Sequence, residues 1–423
     1  MSFNVFNLIL DKGQKGIYIF IDMTNEQKDL VKATVPVLKA NGVALTTYFY
    51  NRMLTKNPEL RNVFNSANQH TGAQPTALAM AVLAYAEHID NPQVLSHAVN
   101  RIANKHVSLD VRPEQYAIVG KHLLASIGEV LGEAATPELI DAWLVAYQQL
   151  AGIMSGAEAD LYSQSAAKEG GWSGWRPFVV KQKVQESDEI TSFYLHPADQ
   201  GKVAGFIPGQ YITVRLFVPE LHVFQPRQYS ISCAPNGEYY RISVKKEHGN
   251  QQRPEGYVSN LLHNSIQEGT MIEVAAPSGD FVLDTEKTDP IVFISGGVGV
   301  TPFMSMLDYL ISAGNKRPVT WIHGCRGYRV HAFKDHVREL GEKHDAMSVH
   351  TFYDKIEQQI EDGYYEGFVD LSKVQQAMQP DAQYYICGPG AFIKKHFDYL
   401  SAQGVAREAI HFEEFGPATL AVE

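Results

Sequence analysis

Apolar residues recur at helical spacing from Thr24 to about Tyr162, with little of the β-branched alternation that marks strands. Breaks at Asn57-Pro58, Gly72 to Pro75, Asn91-Pro92, Arg112-Pro113 and Thr136-Pro137 divide this stretch into roughly six to eight helices. Thr24-Asn25-Glu26-Gln27 has the form of a capping box at the first helix start. A linker over 163–174 follows, rich in glycine at Gly170-Gly171-Trp172-Ser173-Gly174. Beyond it the period shortens. Phe178-Val179-Val180, Ser192-Phe193-Tyr194-Leu195, Tyr211-Ile212-Thr213-Val214 and Arg241-Ile242-Ser243-Val244 read as strands punctuated by Gly and Pro. They predict a small antiparallel barrel over 175–285. From Pro290 strands alternate with helices: Ile291–Ile294, Val319–Ile322, His350–Phe352, Tyr384–Ile386 and a last one near Ile410–Phe412. That alternation predicts a parallel doubly wound sheet over 286–423. The fold class is therefore multidomain: all-α over 23–162, then antiparallel β, then α/β.

Size and composition narrow the function. The 423 residues suffice for several domains with real cores. A net charge of −11 without a compensating basic run argues against a nucleic-acid or anionic-membrane partner. Cys233, Cys325 and Cys387 are odd in number and far apart, so no disulfide framework or CxxC metal site follows. A reducing compartment, the cytoplasm, fits. Residues 1–22 carry a short apolar run, Ile17-Tyr18-Ile19-Phe20-Ile21, too short to span a membrane. Lys12 and Lys15 precede it, but no small-residue cleavage site follows. This segment reads as an extension, unstructured or from a mis-assigned start, with Met23 the natural beginning.

The run Phe293-Ile294-Ser295-Gly296-Gly297-Val298-Gly299-Val300-Thr301-Pro302 carries the strongest chemical signal. A buried strand leads into a glycine loop and then a helix. Glycines let the backbone approach a diphosphate, and the helix start offers unpaired N–H groups. Thr301 is expected at the N-cap and Pro302 at the first helical position. A tight turn alone would look similar. Upstream, Arg227-Gln228-Tyr229-Ser230 follows Pro208-Gly209-Gln210-Tyr211 closely. Arg227 has a fork of donors for a diphosphate, Tyr229 a ring to cover a flavin, and Ser230 a hydroxyl for its edge. Gly256-Tyr257-Val258-Ser259 then opens a helix whose N–H groups and Ser259 face phosphate. At a later strand end, Cys387 and Gly388 stand where such sheets bind ligands; Cys387 approaches a nicotinamide or is simply a buried apolar cysteine. In the tail Glu414-Phe415-Gly416-Pro417, Phe415 is a stacking ring or part of a terminal strand.

In the helical half, His106 shares a face with Leu95, Ala98, Val99 and Ile102. On spacing alone a buried, hydrogen-bonded ring is the simpler reading. Tyr116 and Glu158 change the picture, because an imidazole that binds iron gives its other N–H to a carboxylate or carbonyl. The opposite wall would draw on Tyr50, Phe64, Gln74 and Leu78, with the phenol and amide as donors to a polarised ligand.

Together these residues resemble the flavohaemoglobin family, the bacterial-type nitric oxide dioxygenases. The RQYS run, the GGVGVTP loop, the CGP turn and the FEEFGP tail resemble its reductase half. Tyr48–Met53, Asn57-Pro58-Glu59-Leu60, Lys105-His106 and Pro113-Glu114-Gln115-Tyr116 resemble its globin half. The likeness runs from about Thr24 to Pro417. It implies a globin domain with haem b, a β-barrel with FAD and an NAD(P)H-binding domain. His106 would be the proximal metal ligand, with Tyr116 and Glu158 as its partners. Tyr50 would be the distal phenol, near Gln74 and Leu78, with Phe64 against the haem. Tyr211, Arg227, Gln228, Tyr229 and Ser230 would hold FAD, closed by Glu414 to Pro417, and Gly297, Val298, Gly299, Val300, Thr301 and Pro302 would hold NAD(P)H. The implied activity passes electrons from NAD(P)H through FAD to haem and converts NO and O2 to nitrate. The implied partners are those two small molecules, with no nucleic acid, no stable membrane insertion and a monomer as the default. A haem-based O2 or NO sensor and a general flavin reductase are the alternatives. Three departures stand out: residues 1–22, Pro75 directly after Gln74, and a long hairpin from Glu247 to Pro254.

Overall fold

The computed structural model describes residues 23–65, 69, 71–249, 255–356, 362–379 and 381–415. The expected N-terminal extension, most of the insertion in the long hairpin, and Gly416 and Pro417 lie outside the described residues. The chain divides into two compact units, Met1–Ser163 and Gln164–Glu423.

In the first unit the described α-helices are α1 (Asn25–Ala33), α2 (Val35–Lys56), α3 (Ala73–Glu87), α4 (Ser96–Ser108), α5 (Pro113–Leu131) and α6 (Pro137–Ala167). Each expected break sits at a helix boundary. The capping box at α1 is formed: Thr24 Oγ1 accepts from Gln27 N–H at 3.2 Å and Gln27 Oε1 accepts from Thr24 N–H at 3.0 Å. Pro113 and Pro137 open their helices, where a missing N–H costs nothing. Pro75 is harmless for the same reason. Gly72, at φ 74°, turns the chain into α3, so Pro75 lies in the first turn, before any intrahelical N–H bond is due. Its carbonyl accepts from Thr46 Oγ1 at 2.8 Å and ties α3 to α2. Met53, Phe49, Tyr85, Ala86, Ala142 and Trp143 form the centre of the core. The last helix corrects the expected linker. It continues through Ala167, because Ser163-Gln164-Ser165-Ala166-Ala167 contains no breaker and Gly170 is the first residue to take a positive φ.

The second unit joins two sheets. The first is antiparallel, built from β1 (Trp175–Gln185), β2 (Ile190–Pro197), β3 (Tyr211–Val218), β4 (Val223–Ser230), β5 (Tyr240–Lys245) and β6 (Met271–Ala275), in the order β4-β3-β6-β1-β2-β5. It curls into the expected barrel. Ile231, just past β4, bridges Ile242 of β5, and Ser232 N–H donates to the Arg241 carbonyl at 2.8 Å. Inward side chains such as Phe178, Phe193, Ile212, Val214, Ile242 and Val274 fill it. Helix α7 (Tyr257–Asn264) packs on β3, β4 and β5.

The second sheet is wholly parallel. Its strands are β7 (Ile291–Gly296), β8 (Val319–Cys325), β9 (Met347–Tyr353), β10 (Tyr364–Glu366), β11 (Gln383–Gly388) and β12 (Ile410–Glu414). The order is β10-β9-β8-β7-β11-β12. Helices α8 (Thr301–Ser312), α9 (Lys334–Lys343) and α10 (Gly390–Ala402) cross over between strands. Strand β7 is buried on both faces, which explains its unbroken apolar run. The strand order reverses between β7 and β11, the point where doubly wound sheets bind ligands. Among the described residues no helix is long and apolar enough to cross a membrane.

Two glycines of the helical unit predict opposite outcomes. A Cβ on Gly120 would lie 2.4 Å from the Tyr147 ring, whereas one on Gly152 meets nothing within 4 Å. Gly120→Ala should destabilise this unit by about 1–3 kcal/mol. Gly152→Ala should stabilise it by roughly 0.5–1 kcal/mol through helix propensity. Urea unfolding followed by far-UV circular dichroism distinguishes the two signs.

Candidate functional site

The helical unit brings three sequence-distant groups onto one atom pair. His106 Nδ1 lies 2.7 Å from Glu158 Oε1, and Tyr116 OH donates to the same oxygen at 2.6 Å. Tyr116 OH is also 3.0 Å from His106 Nδ1. Glu158 is 2% exposed, so its charge is compensated within the protein. Among the described residues its second oxygen has no hydrogen-bond partner, so both donors converge on one atom. Burial, then the Glu158 charge, pushes the Tyr116 phenol far above its ordinary value, and it stays a donor. Tyr147 OH donates to the Tyr116 carbonyl at 2.6 Å and fixes the start of α5. With Nδ1 committed, His106 presents Nε2 as the free lone pair, and about a third of the side chain is exposed.

Tyr50, Gln74 and Phe64 are also brought together. Gln74 Nε2 donates to Tyr50 OH at 3.3 Å, leaving the phenol proton to point elsewhere. The Tyr50 ring meets Phe64 edge-on at 5.5 Å between centroids. Desolvation pushes the Tyr50 hydroxyl up to about 12, against the lesser effect of Gln74. Leu78 stands one turn beyond Gln74 on the same face of α3. An imidazole with a free Nε2, and a separate phenol–amide pair beside an aromatic ring, fit a haem.

In the barrel, Tyr211 pairs with Ser230, Thr213 with Gln228 and Val214 with Arg227 across β3 and β4. Arg227 and Tyr229 therefore project from one face. The other described arginines of the barrel each have a carboxylate: Arg176 with Asp199, Arg215 with Glu273, Arg241 with Asp308. Among the described residues Arg227 has none, and its fork reaches only the Pro226 carbonyl at 2.7 Å and Gln225. Burial lowers its pKa from the ordinary value, because no anion offsets the loss of water. Desolvation likewise holds the Tyr229 phenol neutral. At the start of α7, Ser259 Oγ donates to the Gly256 carbonyl at 3.0 Å and accepts from Glu247 N–H at 3.3 Å. The Ser259 hydroxyl thus shapes this turn, and Val258 anchors it in the core. The arrangement suits the diphosphate and ring of FAD.

At the sheet reversal, Gly297 to Val300 form a single 3₁₀ turn before α8. The helix begins at Thr301 with Val300 as N-cap, which corrects the expected N-cap at Thr301. Thr301 Oγ1 instead donates back to the Val298 carbonyl at 3.0 Å and tightens the turn. Pro302 is accordingly the second helical residue rather than the expected first, and its missing N–H still costs nothing there. Gly297 has φ 56°, and a Cβ on Gly299 would sit 2.2 Å from the Cys387 carbonyl oxygen. Only glycine lets the loop lie this close to β11, where Cys387 pairs with Ser295. The Cys387 thiol is fully buried and burial raises its pKa well above the ordinary value, as in the apolar-cysteine reading. Glu414 pairs with Gly388 at the end of β12, and Phe415 follows, 45% exposed.

The sequence patterns match the Globin family model over residues 47–154, the Oxidoreductase FAD-binding domain over 177–283 and the Oxidoreductase NAD-binding domain over 293–396. The flavohemoprotein of Bordetella pertussis is 52% identical over 405 residues, 94% of this chain and 100% of that one. The chain belongs to the flavohemoproteins. That of Chromobacterium violaceum is 51% identical over 398 residues, 93% of this chain and 98% of its own. The crystal structure of flavohemoglobin from Malassezia yamatoensis, with bound FAD and heme, covers 93% of this chain and 99% of that one, at TM-score 0.82 and 26% identity. The FAD/NAD-binding domain of nitric oxide dioxygenase from Vibrio cholerae aligns over 57% of this chain and 99% of its own, with 37% identity and a TM-score of 0.52. The flavohemoprotein thus carries haem, FAD and NAD(P)H sites in this order along the chain.

One buried network beside the glycine loop left no motif in the sequence. Ser295 Oγ meets His323 Nδ1 at 2.8 Å, the His323 and His331 rings stack at 4.8 Å, and His331 Nδ1 meets Tyr353 OH at 2.8 Å. Its members are scattered over β7, β8 and β9 and their loops, so only pairing of the strands reveals it. Desolvation lowers the His323 pKa from 6.5 to about 4 and that of His331 well below its ordinary value. Both rings are neutral in the fold. As pH falls from 6.5 towards 4 the unfolded chain takes up protons that the folded one refuses, so stability is lost across that window. The urea midpoint of the reductase unit, read from flavin fluorescence, should drop over this range. The drop should be shallower in His323→Asn.

Proposed function

We propose that this flavohemoprotein is an NAD(P)H-dependent nitric oxide dioxygenase. Two NO, two O2 and one NAD(P)H give two nitrates, NAD(P)+ and a proton. The carrying observation is the His106–Glu158–Tyr116 cluster in a chain that also holds a complete reductase. A passive O2 or NO sensor needs no built-in electron supply, and a general flavin reductase needs no oriented imidazole. When bound, haem supplies the iron centre for O2, and FAD turns a two-electron donor into one-electron deliveries.

His106 would hold the iron through Nε2. Glu158 accepts a hydrogen bond from Nδ1–H, fixes the tautomer and makes the ring a stronger donor. Tyr116 orients that carboxylate. On the distal side Tyr50 remains a neutral phenol at any physiological pH. Gln74 orients it, and its proton would stabilise negative charge on a substrate oxygen. Phe64 and Leu78 would line that side. In the reductase, Arg227 would neutralise the FAD diphosphate, with Tyr211, Gln228, Tyr229 and Ser230 along the flavin. The N–H groups at Gly256 to Ser259 would take its phosphate, and Glu414 to Pro417 would close the far side. Gly297 to Pro302 would seat the NAD(P)H diphosphate, with Cys387 and Gly388 forming the backbone floor. The functional domains would follow 23–162, 175–285 and 286–423, the helical one running on structurally to Ala167. The three free cysteines suit a reducing compartment, the cytoplasm. NO and O2 would be the small-molecule partners, taken by a monomer.

NO added to the aerobic enzyme should accelerate NADH oxidation and yield nitrate. His106→Ala should abolish that response while flavin reduction by NADH continues. Persistence of NO-dependent nitrate formation in this variant would refute the haem-centred reading. Glu158→Gln keeps a hydrogen-bond acceptor but removes the charge. It should lower the Fe–imidazole stretching frequency in resonance Raman spectra and cut NO turnover by about 10–100-fold.

A further inference from the structure

In a doubly wound sheet the strand after the phosphate loop ends beside the adenosine ribose. An acid there binds the 2′-hydroxyl of NAD, and an arginine accommodates the 2′-phosphate of NADP. The corresponding strand here is β8. The chain leaving it, Arg326-Gly327-Tyr328-Arg329, has two arginines and no acid. Yet Arg326 is not free. Its guanidinium bonds Glu189 Oε1, which comes from the β1–β2 turn of the barrel. The turn holds Glu189 rigidly: Ser187 Oγ accepts from Ile190 N–H at 3.2 Å, and the Glu189 carbonyl accepts from Lys246 N–H at 2.8 Å. A second tie joins the same segments, from Asp188 N–H to the Arg329 carbonyl at 3.1 Å. The Glu189 side chain is 18% exposed and that of Arg326 is 64% exposed, so the acid is the fixed partner and the arginine the movable one. Asp354, whose N–H donates to the Cys325 carbonyl at 3.2 Å, adds a second negative charge nearby.

We infer that Glu189 sets the nucleotide preference of this enzyme, biasing it towards NADH by occupying the arginine that would otherwise take a 2′-phosphate. The acid acts in two ways. It engages the Arg326 fork, and its charge repels a phosphate dianion in the same space. Specificity at the ribose is thus supplied by the flavin lobe rather than by the nucleotide-binding sheet. The inference rests on the nucleotide lying over Gly297 to Pro302.

The test uses the full chain loaded with haem and FAD. Binding of adenosine 2′,5′-bisphosphate and of 5′-AMP is measured by titration calorimetry. Rates with NADPH and NADH are measured with ferricyanide as acceptor. Glu189→Gln should tighten the bisphosphate on the order of tenfold, the effect of one released charge-assisted contact, and raise the NADPH-to-NADH ratio of kcat/KM by a similar factor. The affinity for 5′-AMP should move by less than about twofold. Adding Arg326→Ala to Glu189→Gln should remove the gain. An unchanged bisphosphate affinity in Glu189→Gln, or a gain that survives loss of Arg326, would overturn the inference. Failure of both ligands to bind the wild-type chain would instead overturn the placement of the nucleotide, and the inference with it. Should Glu189→Gln shed its flavin, Glu189→Ala, which also removes the charge, carries the same comparison.

Discussion

A carboxylate out of water constrains the helical unit more than any other group. Glu158 is charged chemistry placed in a core, and such a group persists only where donors meet it. Its two donors come from 52 and 42 residues away in the sequence. Satisfying it therefore fixes α4, the start of α5 and the last third of α6 against one another. Gly120 belongs to the same constraint, because its bare backbone admits the Tyr147 ring whose hydroxyl pins the Tyr116 carbonyl. The chemical consequence follows from the structural one. An imidazole whose Nδ1 is claimed by a buried anion has its tautomer fixed, and the remaining nitrogen becomes a stronger donor.

The reductase unit is organised by backbone instead. At the nucleotide loop, Gly297 supplies a positive φ and Gly299 a close approach to the Cys387 carbonyl. No side chain there has to act on the ligand. Beneath the loop, Ser295, His323, His331 and Tyr353 form a neutral hydrogen-bonded and stacked set across three strands. Neutrality matters at this place: a buried cation under the loop would itself need a counter-ion.

Much of this was legible in the sequence because periodicity and punctuation act locally. Asn57-Pro58, Arg112-Pro113 and Thr136-Pro137 stop helices wherever they occur, and each marks a boundary in the fold. The apolar run Ile291–Ile294 reads as a doubly buried strand for the same reason. Legibility failed where geometry is set by distant partners. Ser163 to Ala167 contain no breaker, yet the change of composition towards Gly170 suggested an early linker. Thr301 has the chemistry of an N-cap, but the preceding 3₁₀ turn makes Val300 the boundary residue. Short β10, paired only through residues 364–366, carries too few positions for a period to be read. The histidine stack and the Glu189–Arg326 pair were invisible, since their members are joined only by tertiary pairing.

Within the barrel, counter-charges set one arginine apart from the rest. Arg176, Arg215 and Arg241 all face carboxylates, and each ties one segment of the reductase to another. Arg227 lies on the same barrel without such a partner among the described residues, and burial already works against its charge. A desolvated cation without an anion is unfavourable in the empty protein and becomes favourable when a diphosphate arrives, so part of the cost of folding is returned on binding. Glu158 is the opposite case. Its donors are already in place, and its neighbour His106 would take a ligand without any change in that pairing. The sites for an anionic and for a metalloporphyrin cofactor can thus be told apart by whether the protein completes the charge pair itself. By that criterion Arg326, completed by Glu189, would be withheld from an anion, and Arg227 would be offered to one.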